Sequence, residues 1–178
     1  MQIKGLENRM DLKYGQINMN NSKLNIHIRA ATINDLREII TAFKAARSQM
    51  KYLPALHTPE EDTNYFKHQI MDGGMFIAET IDSIHNKIVG IMAVKDNWLN
   101  HLYIVPQFQK KGVGRVLLQE AQRQSATGFK LWVFQQNTGA IRFYEREGCV
   151  LLEERDALQA DNEEHLPDKK YEWRPQFK

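Results

Sequence analysis

The strongest constraint on the fold is the stretch Gln109-Lys110-Lys111-Gly112-Val113-Gly114, because of what stands on either side of it. An apolar run ends at Pro106, and a helical stripe of Val113, Val116, Leu117 and Ala121 begins inside the stretch itself. Strand, two-glycine loop and helix start together aim unpaired backbone N–H groups at an anion. The first turn of a helix carries partial positive charge, and glycine lets a ligand approach the main chain closely. Lys110, Lys111 and Arg115 add full charges at the same place. The expectation is a phosphate-bearing ligand held at this loop.

The rest of the chain indicates what sheet the loop hangs from. Leu24–Ala31 alternates apolar and polar residues, the pattern of a half-buried strand. Thr32 with Asp35 reads as a helix start ahead of the stripe Leu36, Ile39, Ile40 and Phe43. Thr58, Pro59 and Glu61 open a second helix that runs toward Met71 and stops at Gly73-Gly74. Met75–Thr80, Lys87–Val94 and Trp98–Val105 read as a meander of three strands. Beyond the glycine loop and its helix come a strand at Phe129–Phe134 and a helix from Asn137 to Glu147 closed by Gly148. Strands at Cys149–Arg155 and Lys170–Arg174 follow, separated by the polar loop Asp156–Lys169. The order is βα, α, βββ, αβ, αβ, β. The glycine loop therefore follows a meander and not the first strand of a βαβ unit. It also lacks the third glycine of the dinucleotide fingerprint and the Gly-Lys-Ser/Thr of a P-loop.

Composition narrows the setting. A chain of 178 residues is large enough for one well-filled core, read here as a single domain over residues 24–178. Residues 1–23 show no firm periodicity and read as an extension that can be flexible. A net charge of +2 gives no field for a nucleic acid partner, and no run of about 18 apolar residues predicts a membrane span. Cys149 is the one cysteine, which excludes a disulfide framework and a cysteine-based zinc site, and no metal is expected. Residues 1–23 lack the apolar core of a signal peptide, and a cytoplasmic setting fits best. Nothing in the sequence fixes the oligomeric state, and a homodimer is left open.

Two motifs carry a family resemblance. His101-Leu102-Tyr103-Ile104-Val105-Pro106 with Gln109–Gly114 resembles motif A of the GCN5-related N-acetyltransferases (GNAT), and Asn137 through Gly148 is similar to their motif B, Asn-x-x-Ala-x-x-Phe-Tyr-x-x-x-Gly. The element order from Asn25 to Trp173 fits the same fold. That fold is α/β, a central, mostly antiparallel mixed sheet splayed between its fourth and fifth strands, with helices on both faces.

The resemblance implies acetyl-CoA as donor and CoA as product. The pyrophosphate would lie on Gln109, Lys110, Lys111, Gly112, Val113 and Gly114, with Arg115 nearby, while Asn137 would bond the pantetheine, cap its own helix, or do both. The pantetheine arm would pair with Ile104 and Val105, and the Ile104 backbone would meet the thioester carbonyl. Tyr144 matches the tyrosine that gives a proton to the departing thiolate, though a tyrosine on an amphipathic helix is also ordinary core. The general base stays open. Many relatives carry a glutamate where this chain has Trp98, and the substitutes are Glu79, His101, His57 or a water chain.

For the acceptor side, Tyr52, His57, Glu79 and Glu164 are the candidates, from the loop Ser48–Thr58, an early strand and the loop Asp156–Lys169. The implied activity is transfer of an acetyl group to a primary amine, on a small molecule or a peptide or protein, by direct attack in a ternary complex. The alternatives are a CoA-binding regulatory module without turnover and a toxin-like aminoacyl-tRNA acetyltransferase, the second opposed by the small net charge.

Overall fold

The computed structural model describes residues 14–19, 22–81 and 86–176. The strands are β1 (Tyr14–Met19), β2 (Ser22–Ala30), β3 (Met75–Thr80), β4 (Lys87–Lys95), β5 (Trp98–Ile104), β6 (Phe129–Phe134), β7 (Val150–Arg155) and β8 (Asp168–Trp173). The helices are α1 (Leu36–Arg47), α2 (Pro59–Met71), α3 (Val113–Gln124) and α4 (Thr138–Arg146). All strands join one sheet in the order β1-β2-β3-β4-β5-β6-β8-β7. Every neighbouring pair is antiparallel except β5 and β6, which run parallel.

Local chemistry sets the element ends. Thr58 accepts from the Glu61 N–H while the Glu61 carboxylate takes the Thr58 N–H at 2.7 Å, and Pro59 fills a first-turn position that needs no N–H. Gly73 and Gly74, at φ 79° and 83°, turn the chain into β3. Thr32 and Asp35 form the expected box, but around a single 3-10 turn, Ile33–Asp35, that leads into α1. Asp35 is also gripped by both terminal nitrogens of Arg29 at 2.7 Å, which holds its carboxyl down at about 2.

Two apolar layers sandwich the sheet. On one face α1 and α2 bury Ile39, Phe43 and Phe66 against Ile77 and Ile91; on the other α3 and α4 bury Leu117 and Tyr144 with Val89, Phe129 and Tyr171. Central β4 is therefore buried along all but its two end residues, as a strand covered on both faces must be. Gly90 on β4 is fixed by space: a Cβ there would stand 2.8 Å from Leu117 and 3.0 Å from Ile104, so it lets α3 seat against the strand that borders the cleft.

Strand β1 lies within the stretch that the sequence reads as an extension. It pairs along its length with β2, from Tyr14 opposite His27 to Met19 opposite Ser22. An edge strand can be held by main-chain bonds on one side alone, so it needs no strong apolar pattern.

Candidate active site

The site begins where β5 and β6 part. Their pairing is confined to Trp98 opposite Lys130, with the Lys130 N–H donating to the Asn97 carbonyl at 2.9 Å. Toward Ile104 and Phe134 the strands diverge, and a cleft of about 770 Å³ opens between β5, the glycine loop, the start of α3 and α4.

Strand alternation decides what faces this gap. The Val105 N–H donates to Val89 of β4 at 3.0 Å, and its carbonyl accepts from Phe108 at 2.8 Å. Val105 is thus committed on both sides, which corrects its expected role as a main-chain partner for a ligand. Ile104, opposite Gly90, is the intervening pair, and in an antiparallel ladder such residues turn N–H and C=O away from the partner strand. Away from β4 is toward the splay. The Gln109 side chain donates to the Ile104 carbonyl at 3.2 Å, tying the loop to this strand end.

The loop is built for main-chain recognition. Lys110 stands at φ 57° and Gly112, the N-cap of α3, at φ 83°, and Gly112 offers no side chain to satisfy the first-turn amides. Gly114 lines the cleft and keeps its wall low. Lys110 and Arg115 line it too, but two expected ligands contribute no side chain. Lys111 lays its Nζ over the Phe108 ring at 5.6 Å, and Val113 is fully buried in the core. Amides at a helix N-terminus beside cationic side chains fit a diphosphate, so the donor set suits CoA.

From the far wall, Asn137 caps α4 by accepting from Ala140 N–H at 3.2 Å while also lining the cleft. Tyr144, about two turns beyond Asn137, is 8% exposed and lines the same space. Burial first, then nearby Cys149 and Tyr103, pushes its phenol above the ordinary range, so it stays protonated. Cys149 is buried and its thiol is pushed up to about 12, which leaves it inert as a nucleophile.

The base candidates fare differently. Glu79 is 5% exposed inside a structural network. Its carboxylate meets His27 Nδ1 at 2.9 Å and Arg29 Nε at 3.2 Å, and it does not line the cleft. That corrects both of its expected roles, base and acceptor contact. His101 is turned to the opposite face of β5 from Leu102 and Ile104, as alternation allows. Its Nε2 shares a 2.8 Å hydrogen bond with the Tyr65 hydroxyl, its ring lies among Tyr65, Phe66 and Tyr103, and burial pushes its pKa down to about 4. So weak a base is a poor proton acceptor. Trp98 sits at the paired end, about 20 Å of strand away from Ile104.

The two loops expected to frame the acceptor do meet. His57 Nε2 faces Glu163 at 2.8 Å, and Arg47 Nη2 reaches Glu164 at 3.4 Å and the Pro54 carbonyl at 3.1 Å. His57 is thereby occupied by Glu163 of the other loop and Glu164 by Arg47 at the end of α1, while Tyr52 lines the cleft itself. The sequence reading missed Gln49, Met50, Leu102, Gln136 and Arg142 in the lining. For Leu102 a signal existed, since it shares the parity of Ile104. The others lie at turns of helix and loop where no periodicity marks them.

Among the described residues no cluster of metal-binding side chains is present, and no helix is long and apolar enough to cross a membrane. A parallel strand pair that splays beside a glycine-rich helix start is the arrangement that the GNAT resemblance implies. Comparison agrees with it: the model of the acetyltransferase (GNAT) domain matches residues 72–148. An uncharacterised N-acetyltransferase of Methanocaldococcus jannaschii is 27% identical over 150 residues, a match that takes in 74% of this chain and 62% of that relative's length.

Among solved structures, a GNAT-family acetyltransferase of Bacillus cereus superposes with a TM-score of 0.66 at 16% identity, over 85% of this chain and 99% of that one. The spermidine N-acetyltransferase of Vibrio cholerae, solved with CoA and spermine, gives 0.63 at 20% identity, over 84% and 95%. The chain thus has the fold of these GNAT acetyltransferases and carries a match to their domain model over residues 72–148.

Proposed function

We propose that the protein is an acetyl-CoA-dependent N-acetyltransferase that acetylates a primary amine by direct attack in a ternary complex. The observation that carries this is the splay itself, with the main chain of Ile104 on one side, Tyr144 on the other and the Gly112 helix start at its end. Acetyl-CoA supplies a thioester, whose carbonyl carbon accepts the amine nitrogen. The Ile104 N–H donates to the carbonyl oxygen and stabilises it as negative charge gathers there, usually a large term in acyl transfer.

As the new N–C bond forms and the C–S bond breaks, the Tyr144 hydroxyl gives its proton to the sulfur. A thiolate leaving into a buried, poorly solvated spot is more basic than in water, which offsets the raised pKa of the donor. The amine's own proton passes to water, because the expected side-chain bases are ion-paired or turned away. Direct attack is supported by Cys149, whose buried neutral thiol is unfit to carry an acyl group.

The test is thermal denaturation with and without acetyl-CoA, followed by incubation with a panel of amines and mass analysis. Stabilisation by acetyl-CoA and the gain of one acetyl group on an amine are expected. No stabilisation would remove the whole reading, and stabilisation without transfer to any amine would leave a CoA-binding module.

A further inference from the structure

The cleft is electrically lopsided. Its charged lining residues, Lys110, Arg115, Arg142, Arg146 and Glu147, all belong to the glycine loop, α3 and the α4 region. The wall supplied by α1 and the segment after it is Ala46, Gln49, Met50 and Tyr52, with no charge among them. The carboxylates on this side are already matched, Glu164 with Arg47 and Glu163 with His57.

Tyr52 closes the neutral end. Its ring meets Phe134 of β6 edge-on at 6.1 Å, so it reaches from the α1 side to the far edge of the splay. Its hydroxyl is buried with no hydrogen-bond partner among the described residues. Orphaned buried hydroxyls are uncommon because they are costly, and one in a ligand cleft is a place where a ligand's polar atom can answer it.

Resting on the acetyl-transfer reading, we infer that the acceptor is a monoamine carried on an apolar body of about aromatic-ring size, bound at the neutral end with a polar atom on the Tyr52 hydroxyl. A polycation is a poor fit. Its additional ammonium groups would be desolvated against neutral side chains, or would have to displace Arg47 and His57 from Glu164 and Glu163. An apolar body instead gains by burial against Met50, Tyr52 and Leu102.

Initial rates at saturating acetyl-CoA test this with 2-phenylethylamine against spermidine. The arylalkylamine should show a kcat/KM higher by about tenfold or more, the scale on which apolar pockets discriminate. Tyr52→Phe should raise the KM for that amine several-fold with kcat little changed. The same variant should not lower the Tm, because the hydroxyl it removes has no partner to lose. Its stabilisation by acetyl-CoA should match the parent's.

Equal or better use of spermidine overturns the inference, and so does an unchanged KM in Tyr52→Phe. Acetylation of neither amine overturns it too. If acetyl-CoA still stabilises the protein in that last case, the loss falls on the acceptor class; if it does not, the acetyl-transfer reading falls as well.

Discussion

The two ends of the cleft are made of different material. The end proposed for the donor is main chain held by regular elements: Gly112 and Lys110 at positive φ, the amides opening α3, and Ile104 at the divergence of β5 from β6. The end proposed for the acceptor is side chains on two loops and the end of α1, joined through His57–Glu163 and Arg47–Glu164, with Tyr52 between them and β6. A donor common to a whole family can be bound by backbone geometry that survives sequence change. An acceptor peculiar to one member is read by side chains on loops, which change freely without disturbing the sheet.

The largest effect should follow from Tyr144→Phe, which keeps the ring in its buried place and removes the proton. The kcat should fall by about 10²–10⁴ if this hydroxyl protonates the leaving group, with acetyl-CoA affinity little changed. Steady-state rates with calorimetric titration of acetyl-CoA measure both. A fall of less than about tenfold would reduce Tyr144 to packing, and the donor end would lose its one chemical side chain.

Glu79→Gln comes next and asks whether the acceptor end extends onto β3. Breaking a buried ion-pair network by removing one partner costs on the order of 3 kcal/mol. Because Arg29 is partly exposed, the lower part of that range is expected, seen in urea unfolding as a smaller midpoint. The kcat should hold. A variant that unfolds like the parent but loses turnover would put Glu79 in the chemistry and erase the division between the two ends.

How much of this was legible in the sequence follows the same division. Gly112 announced the donor end because it takes a φ of 83° that other residues rarely adopt. Thr58-Pro59-Glu61, Gly73-Gly74 and Gly148 marked element ends for a similar local reason. The partners of Glu79 were not legible, since Arg29 stands 50 residues away and meets it only through the register of β2 on β3. Val105 and His101 depended on parity within a strand that carries a register shift between Ala93 and Val94 on its partner, which a count along the sequence cannot show. His57 and Glu164 read as acceptor contacts, and the distant partners that occupy them, Glu163 and Arg47, meet them only through the fold.

A pair of smaller changes compares main chain with side chain inside the donor end. Gly112→Val forces a β-branched residue to φ 83°, a strain of about 1–2 kcal/mol that the loop can relieve only by turning its amides. Acetyl-CoA affinity should drop by about tenfold or more, since 1.4 kcal/mol is a factor of ten. Lys111→Ala, although it removes a full charge from the motif, should change affinity by about twofold or less, because its ammonium rests on Phe108 and is screened by water. If calorimetry gives the reverse ranking, the donor end is a side-chain site and the contrast with the acceptor end disappears.

The smallest effect belongs to the His57–Glu163 contact between the loops. Its side chains are 45% and 72% exposed, so the coupling energy from a double-mutant cycle with His57→Ala and Glu163→Gln should stay below about 1 kcal/mol in unfolding experiments. The same cycle run on the acceptor KM asks more of the pair. If the loops are positioned by their own packing, through Tyr52 on Phe134 and Arg47 on the Pro54 carbonyl, the KM should also be nearly unmoved. A KM that shifts while stability does not would mean that this exposed pair orders the acceptor wall. The loops would then be a site assembled by charge, and the neutral face of the cleft would owe its shape to two residues that never line it.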